Sequence, residues 1–337
     1  MLMNHFFCFK SHAKMTTDNN LVKTGDARNS PGDAISDIDL DYENFTERTP
    51  LLSILCITYN HEKYIGQAID SFLMQETYFP IEIVIGDDCS KDGTSLIIEN
   101  YKKKHPSLVR IVTSKSNVGF VENFRRTLNA CKGRYIAICE GDDYWIDKQK
   151  VQIQVEFLES HPEYVITYHD ACPFDEAGAS LIPQLSKEFQ RDATEEELIK
   201  CRPISTLTAC FRNVLPDIPD EFNHTPVLDL CIWSLLGNFG KGKHLSNIKP
   251  AAYRVHEGGI FSTQSIENKK IMTMHALLHL SRYYERIGNN SANNSLKLQI
   301  AMMANSRLSL FLKFRLVATK LDSLFGSPIY RLKRLLV

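Results

Sequence analysis

Short apolar segments alternate with segments of helical periodicity through the first half of the chain. Residues 51–57 form a mostly apolar run of the kind found in a strand that is covered on both faces. Similar runs recur three times, and between them the apolar residues return at every third or fourth position. The pattern predicts strands at residues 51–57, 81–86, 109–112 and 134–139, with helices at 64–73, 95–104 and 121–131.

This alternation of strands and helices predicts a fold class as well as a set of elements. Strands joined by helices form a mostly parallel sheet with right-handed crossovers and with helices on both faces. Ligands of such sheets bind beyond the carboxyl ends of the strands. We therefore expect the chemistry of this protein to lie in the loops that follow its strands.

The two ends of the chain differ from this central α/β region. Residues 1–48 are polar and without sustained periodicity, which predicts a disordered leader. Residues 265–337 are helical by composition, and the α/β domain is expected to occupy residues 49–264. Farther along that domain, residues 204–212 read as another apolar strand, and a helix is expected to start within residues 225–235.

The loops after the predicted strands carry polar residues suited to binding and catalysis. The first loop contains Thr58, Tyr59 and Asn60, the second contains Asp87-Asp88, and the loop after residue 139 contains Asp142-Asp143. Adjacent carboxylates repel each other unless a cation or hydrogen-bond donors compensate. Their hard oxygen atoms suit Mg²⁺ or Mn²⁺, which also bind a diphosphate. An isolated Asp-Asp pair is also typical of a solvated acidic turn.

Four motifs in order resemble one known family. They are Thr-Tyr-Asn-His at 58–61, Asp-Asp-Cys-Ser-Lys-Asp-Gly-Thr at 87–94, Ser-Asn-Val-Gly at 116–119 and Glu-Gly-Asp-Asp-Tyr-Trp at 140–145. Together they closely resemble the family 2 glycosyltransferases of the GT-A fold, over about residues 50–262. The resemblance implies an inverting, metal-dependent enzyme that moves a sugar from a nucleotide-sugar, expected to be UDP-linked, to an acceptor hydroxyl.

The resemblance also implies roles for the nucleotide-binding loops. Tyr59 and Asn60, beside Thr58, are expected to line the base pocket. Asp88 is expected to accept a hydrogen bond from a base N–H, and Asp87 to support that loop. Asn117 and Asn123 are expected near the nucleotide. The family often has Gly or Asn at the position of Cys89, so this loop departs slightly from the pattern.

Roles at the reacting centre follow from the same resemblance and from the local chemistry. Asp143 is expected to coordinate Mn²⁺ or Mg²⁺, with Asp142 facing the ribose or the donor sugar. Asp229 lies among apolar neighbours, and burial would raise its pKa and suit it to act as the general base. An Asp at this position is also typical of a helix N-cap.

A later segment completes the expected centre. Residues 253–256 read Tyr-Arg-Val-His and resemble the family's Tyr-Arg-x-His segment. The imidazole of His256 is expected to bind the metal, and Arg254 to bind the diphosphate. A histidine is more often structural or solvated than a ligand, and the position of His256 beside Arg254 is what favours the functional interpretation.

Composition and charge limit the alternatives. The formal net charge is −1, so no chain-wide field indicates nucleic acid as a partner. The 9 cysteines contain no C-x-x-C pair, which favours a reducing cytoplasm over a zinc site or a disulfide framework. The expected partners are a nucleotide-sugar donor and a saccharide or lipid-linked saccharide acceptor in cell-surface polysaccharide synthesis. A sugar nucleotidyltransferase and an inactive, transferase-like scaffold protein remain as alternatives.

The end of the chain predicts contact with an anionic membrane surface. Residues 307–337 hold seven Lys or Arg residues and one acidic residue, interleaved with Leu, Phe, Ile and Val. Basic amphipathic segments bind anionic lipid interfaces. A helix that packs on its own catalytic domain is the alternative.

Removal of residues 307–337 tests the membrane hypothesis. If the segment holds the enzyme on the cytoplasmic face of a membrane, the shortened protein should leave the membrane fraction and lose affinity for anionic vesicles in a flotation assay. Binding by the full chain should weaken as salt rises, because surface attraction is screened beyond about 8 Å at physiological ionic strength. Unchanged vesicle binding by the shortened protein would exclude this role.

Overall fold

A computed structural model describes residues 49–175, 178–179 and 183–305 of the chain. The expected leader, residues 1–48, and the basic segment, residues 307–337, lie outside the described residues. Both expectations therefore stay predictions.

The first part of the described chain alternates strands and helices as the sequence predicts. Its elements are β1 (Leu52–Thr58), α1 (Ile65–Leu73), β2 (Ile81–Asp87), α2 (Thr94–Lys104), β3 (Val109–Thr113), α3 (Phe120–Ala130) and β4 (Tyr135–Ile138). The second part begins with a helix and continues through short strands. Its elements are α4 (Lys150–Ser160), β5 (Tyr164–Tyr168), β6 (Ala171–Asp175), β7 (Gly178–Ala179), α5 (Glu195–Ile199), β8 (Cys210–Arg212), α6 (Leu228–Leu236), β9 (Lys241–His244), β10 (Ala251–Arg254), α7 (Ile266–Arg286) and α8 (Asn290–Asn305).

The central sheet is mostly parallel, as the alternation predicts. Among the described residues its strand order is β3-β2-β1-β4-β8-β5-β9, and a small second sheet has the order β10-β6-β7. The strands β1 to β4 are parallel, whereas β8 lies antiparallel between β4 and β5. Because β4 and β5 are both antiparallel to β8, they run parallel to each other, and β9 runs parallel to β5. The carboxyl ends of these parallel strands therefore meet at one edge.

Side chains on the strands alternate between two apolar layers, as the pleat requires. On β1, Ile54 and Cys56 pack with residues of α1, α2 and α4, while Leu55 packs on the opposite face with residues of α3, α6 and α7. Strand β4 divides in the same way, with Ala137 on the first face and Ile138 on the second. Both faces of the sheet are covered, which explains the near-continuous apolar runs in the sequence.

The prediction of a strand at residues 204–212 is wrong for the first half of that segment. Thr206–Thr208 forms a single 3₁₀ turn, and the extended part is limited to Cys210–Arg212. The amide and the hydroxyl of Thr208 both donate to the Ser205 carbonyl, over 3.0 and 2.7 Å. Ser and Thr side chains compete in this way with strand pairing, which explains the turn.

The helices near the end of the described chain share the core of the α/β region. Ala276, Leu277 and Leu280 of α7 belong to the same apolar cluster as Trp233 of α6. The hydroxyl of Tyr284 also lies 3.0 Å from Ser234 Oγ of α6. Within residues 49–175, 178–179 and 183–305, no helix has both the length and the apolar content needed to span a bilayer.

The packing of α3 on β2 leads to a prediction for Gly86. A Cβ atom at Gly86 would lie 2.0 Å from Thr127 Oγ1 and 2.9 Å from Asn123 Oδ1. Gly86→Ala should therefore lower the free energy of unfolding by about 1–3 kcal/mol, because overpacking forces α3 away from the sheet. Urea denaturation followed by circular dichroism measures the change.

Gly66 in α1 provides a matched control. Its added Cβ would lie 3.7 Å from the Tyr101 hydroxyl, an ordinary contact distance. Gly66→Ala should keep or raise stability, by up to about 1 kcal/mol, because alanine is the better helix former. Equal stability of the two variants would contradict the close packing of α3 on β2.

Candidate active site

The loops that follow β1 and β2 are joined to each other at Asn60. The Asn60 amide donates to Ser90 Oγ over 2.9 Å, and the Asn60 side-chain oxygen accepts from the Lys91 amide over 2.8 Å. Asn60 has a φ of 57° and Cys89 a φ of 59°, both in the left-handed region. Asn is among the non-glycine residues that tolerate this region best. Asn60 therefore sets the position of the second loop.

Asp87 is buried, and its carboxylate stabilises the second loop by accepting hydrogen bonds from residues of that loop. Its Oδ1 accepts from the Ser90 amide over 3.2 Å and from Ser90 Oγ over 2.5 Å, and its Oδ2 accepts from Ser95 Oγ. Thr58 is also buried, whereas the Tyr59 side chain is 41% exposed at the edge of the site. The position of Asp87 agrees with a supporting role, and Tyr59 is accessible to a ligand.

Asp88 joins the second loop to the segment before α3. Its two carboxylate oxygens accept from the Val118 and Gly119 amides, over 2.8 and 2.9 Å. The side chain is nearly fully buried. These bonds show Asp88 as a brace between loops, and a hydrogen bond from a nucleotide base to it stays a prediction. Asn117 lies on the same segment, is exposed, and accepts from the Gly119 amide over 3.2 Å.

Asn123 is an internal residue of the α3–β2 contact. Its side-chain nitrogen donates to the Gly86 carbonyl over 2.8 Å, and its oxygen accepts from Arg126 Nη2 over 2.7 Å. Arg126 Nη2 also donates to the Asp87 carbonyl over 2.8 Å. Asn123 therefore acts on the site through Arg126, which the sequence interpretation missed.

The loop after β4 packs closely on the first loop. A Cβ atom at Gly141 would lie 2.7 Å from Thr58 Oγ1, so only glycine allows this approach. The two carboxylates that follow diverge. Asp143 is buried, and its Oδ1 accepts from the Arg254 amide of β10 over 2.7 Å.

Asp142 extends in a different direction, toward two histidines. Its Oδ2 lies 3.0 Å from His256 Nε2 and 3.8 Å from His61 Nε2. One ligand atom from each of the three residues lies within 4.8 Å of the others, which is a grouping suited to a metal ion. The sequence predicts Asp143 and His256 as the metal ligands. The geometry instead groups Asp142 with His256 and adds His61, a residue of the Thr-Tyr-Asn-His motif to which the sequence prediction gives no metal-binding role.

The electrostatics of this loop show an excess of negative charge. Burial, together with the charge of Asp142, raises the pKa of Glu140 to about 8, and burial beside the same carboxylates holds the pKa of Asp143 well above its usual range. Burial also opposes ionisation of Asp142, but the hydrogen bond from His256 and the charges of the two histidines outweigh it and lower the Asp142 pKa. Burial lowers the pKa of His61 and favours the neutral imidazole that binds metals.

The donor set fits a divalent cation. His61 Nδ1 and Glu140 Oε2 are buried and have no hydrogen-bond partner among the residues that the structure describes. Buried polar atoms are nearly always paired, so such atoms call for a ligand, water or ion. The carboxylate is a ligand that suits Mg²⁺ or Mn²⁺, and the two imidazoles are ligands that suit divalent transition-metal ions.

Arg254 braces the loop of residues 140–145 against α1. Its Nε donates to the Asp142 carbonyl over 2.8 Å, and its Nη2 donates to Gln67 Oε1 over 2.6 Å. The guanidinium lies 4.6 Å from the ring centroid of Tyr64 and 4.5 Å from that of Phe174, within cation–π range. The structure thus gives Arg254 a bracing role, and contact with a diphosphate stays a prediction.

Asp229 lies in the first turn of α6 and is not its N-cap, which is Val227. Its Oδ2 accepts from Thr206 Oγ1 over 3.0 Å, and its Oδ1 accepts from the Leu230 amide over 2.8 Å. Burial raises the pKa of Asp229, although these hydrogen bonds lower it in part. Its charge also helps to raise the pKa of Glu140, so the two carboxyl groups interact across the site.

Comparisons with known proteins identify the family. A family model described as "Glycosyl transferase family 2" matches residues 53–215. The putative teichuronic acid biosynthesis glycosyltransferase TuaG of Bacillus subtilis is 32% identical over 231 residues, which cover 67% of this chain and 87% of TuaG. The chain belongs to the family 2 glycosyltransferases. An uncharacterised Mycobacterium tuberculosis protein is 35% identical over 223 residues, which cover 65% of this chain, and the chain spans 63% of that protein's length.

Solved structures support the GT-A fold. The Staphylococcus aureus TarS structure with UDP-GlcNAc has a TM-score of 0.52 and 20% identity, and the match covers 68% of this chain and 66% of that one. The mannosyltransferase PcManGT from Pyrobaculum calidifontis, in complex with GDP-Man and Mn²⁺, has a TM-score of 0.53 and 17% identity, with 84% and 82% coverage. The GT-A fold expected for this family 2 glycosyltransferase is confirmed.

Thr206 gives a prediction for the ionisation of Asp229. Thr206→Val removes a donor to the ionised carboxylate and should raise the Asp229 pKa further. The pKa can be followed by carbon-13 NMR titration of labelled aspartate carboxyls, with Asp229→Asn to assign the signal. Thr206→Ser retains the donor and should keep the value of the unmodified protein. A pKa that is the same in the valine and serine variants would show that this hydrogen bond does not affect the carboxylate.

Proposed function

We propose that this family 2 glycosyltransferase transfers a sugar, with inversion, from a UDP-linked donor to an acceptor hydroxyl in a metal-dependent reaction. The proposal rests on one observation, which is that two carboxylates of the site, Asp142 and Asp229, have different surroundings. Asp142 is grouped with two histidines in an arrangement suited to a metal. Asp229 lies outside that group, is partly buried, and has a pKa that desolvation raises. The first arrangement suits the leaving diphosphate, and the second suits a base.

On this proposal Asp142 and His256 bind the cation, and Asp143 holds the Arg254 segment beside them. A divalent cation held by these residues would neutralise the negative charge of the departing diphosphate. Arg254 fixes the Asp142 backbone and aligns the metal-binding carboxylate. The Mn²⁺ in the PcManGT complex supports the choice of a divalent metal.

Asp229 is proposed as the general base. It accepts the proton of the acceptor hydroxyl while that oxygen bonds to the anomeric carbon from the face opposite the diphosphate. The bond between the anomeric carbon and the phosphate oxygen breaks, and its electron pair leaves with the nucleoside diphosphate. A pKa raised by burial makes Asp229 a stronger proton acceptor than an ordinary carboxylate.

The nucleotide is proposed to lie beside the first two loops. Tyr59 offers an exposed ring at the edge of the site, and Asn117 offers an exposed amide on the segment that Asp88 holds. The buried Thr58 and Asp87, together with the exposed Asn60 that links the two loops, set the shape of these loops. The UDP-GlcNAc in the TarS structure supports a uridine nucleotide.

The acceptor is proposed to be a saccharide or lipid-linked saccharide of a cell-surface polymer. The names of two relatives support this setting, teichuronic acid biosynthesis for TuaG and poly(ribitol-phosphate) N-acetylglucosaminyl transfer for TarS. A lipid-linked acceptor lies at a membrane, which agrees with the cytoplasmic, peripheral location expected from residues 307–337.

A donor screen tests the proposal directly. The purified protein is incubated with a panel of UDP- and GDP-sugars, with Mn²⁺ or with EDTA, and released nucleoside diphosphate is measured. We expect release from one UDP-sugar with Mn²⁺ and none with EDTA. Equal release with EDTA would exclude the metal role, and release of inorganic pyrophosphate would favour a nucleotidyltransferase.

Asp229→Asn separates the base from a binding residue. The amide keeps the size of the side chain but does not accept the proton, so turnover should fall about a hundredfold or more. The affinity for the nucleoside diphosphate, measured by calorimetry, should be nearly unchanged. Asp217→Asn, at an exposed aspartate, is the matched control and should keep full turnover. A loss confined to donor affinity would assign Asp229 to binding.

A further inference from the structure

His61, on the loop between β1 and α1, is a partly buried side chain whose two ring nitrogens lack close partners in the described part of the chain. Its Nδ1 is buried and has no hydrogen-bond partner among the residues that the structure describes. Its Nε2 lies 3.8 Å from Asp142 Oδ2, which is beyond hydrogen-bond distance. The Nε2 atom, which faces Asp142, is therefore not held in a hydrogen bond with that carboxylate and is free to bind another ligand as a neutral imidazole.

The backbone holds His61 in a fixed position. The His61 carbonyl accepts from the Tyr64 and Ile65 amides, both over 2.9 Å, as the chain turns into α1. The preceding residue, Asn60, is tied to the second loop by two hydrogen bonds. The ring lies edge-on to His256, with centroids 6.1 Å apart. This side chain is therefore pre-positioned beside the Asp142–His256 pair.

The distances from Asp142 to the two histidines match those between ligands of one metal ion. Two ligand atoms at about 2.1 Å from an ion lie about 3.0 Å apart at a right angle, and about 4.2 Å apart on opposite sides. Asp142 Oδ2 lies 3.0 Å from His256 Nε2 and 3.8 Å from His61 Nε2. Both separations fall within that interval.

We propose that His61 is a third protein ligand of the cation, and that the resulting two-histidine, one-carboxylate site selects Mn²⁺ over Mg²⁺. Mn²⁺ is at the weak end of the first-row transition metals for nitrogen ligands, but Mg²⁺ binds imidazole less readily still, because it prefers oxygen ligands and gives up its water reluctantly. Three protein ligands leave coordination positions open on a six-coordinate ion for diphosphate oxygens. The inference rests on the metal dependence in the proposed function and adds a residue and a metal preference to it.

The test is Mn²⁺ binding by the unloaded protein, which needs neither donor nor acceptor. Mn²⁺ titrations followed by electron paramagnetic resonance give the Kd, and electron spin-echo modulation counts directly bound imidazole nitrogens. The unmodified protein should show two nitrogens. His61→Gln should show one, with a Kd higher by about tenfold or more, since a ligand should matter at least as much as residues that only orient ligands. The Mg²⁺ concentration that displaces half of the Mn²⁺ should fall in the same variant.

Controls separate this inference from the proposed function and from misfolding. His275→Gln, at an exposed histidine of α7, should bind Mn²⁺ as the unmodified protein does. Thermal melts without metal check the fold of His61→Gln, and His61→Asn provides a second variant. If His61→Gln keeps two nitrogens and the original Kd while His256→Gln loses binding, the inference is wrong and the proposed metal site stands. If the unmodified protein does not bind Mn²⁺ and donor release is insensitive to EDTA, both are wrong.

Discussion

The arrangement of the whole site depends on how the chain separates three acidic side chains at the end of β4. Glu140, Asp142 and Asp143 lie within four residues, in a setting where burial penalises each charge. Like charges in such a place are tolerated when each has its own compensation. Asp143 receives the Arg254 amide, and Asp142 faces two histidines. The loop is therefore folded by the same interactions that would hold a cation.

That separation requires partners from distant parts of the chain. Arg254 reaches the Asp142 carbonyl from β10 and also contacts Gln67 on α1. Behind the loop, Trp145 Nε1 donates to the Leu207 carbonyl over 2.7 Å, next to the Thr206 that contacts Asp229. The loop after β4 is thus held by hydrogen bonds to segments that are far from it in the sequence. The candidate base Asp229 contacts the turn at Thr206–Thr208, and the candidate metal ligand Asp142 lies on the loop after β4, which is hydrogen-bonded to that turn.

The sequence predicts the first half of the sheet well, because β1, β2 and β4 are apolar and buried on both faces. It predicts the second half poorly, for physical reasons. Strand β9, Lys-Gly-Lys-His, has no apolar alternation, and β8 is three residues long. These segments become strands through their neighbours and not through their own composition.

The sequence likewise predicts some residues of the site well and others poorly. Resemblance brought Asp142, Asp143, Asp229 and His256 to attention and assigned the metal to Asp143, whereas in the structure Asp142 is the carboxylate that faces the two histidines. That choice depends on the path of the loop, which Gly141 and the β10 backbone fix. His61 belongs to the Thr-Tyr-Asn-His motif and Thr206 to a predicted strand, but the sequence does not show their contacts in the site, because the partners lie 81 and 23 positions away.

The antiparallel strand β8 has a consequence for the order in which the molecule can assemble. The strands β1 to β4 pair among themselves, so that part of the sheet can form as soon as residue 138 has been synthesised. Strand β5 is the next strand in the chain, yet both of its neighbours in the central sheet, β8 and β9, come later. On the ribosome, β5 therefore emerges with both edges unpaired and waits for about forty residues or more of further synthesis. Unpaired strand edges are the parts of a nascent chain most prone to aggregation and most in need of chaperones.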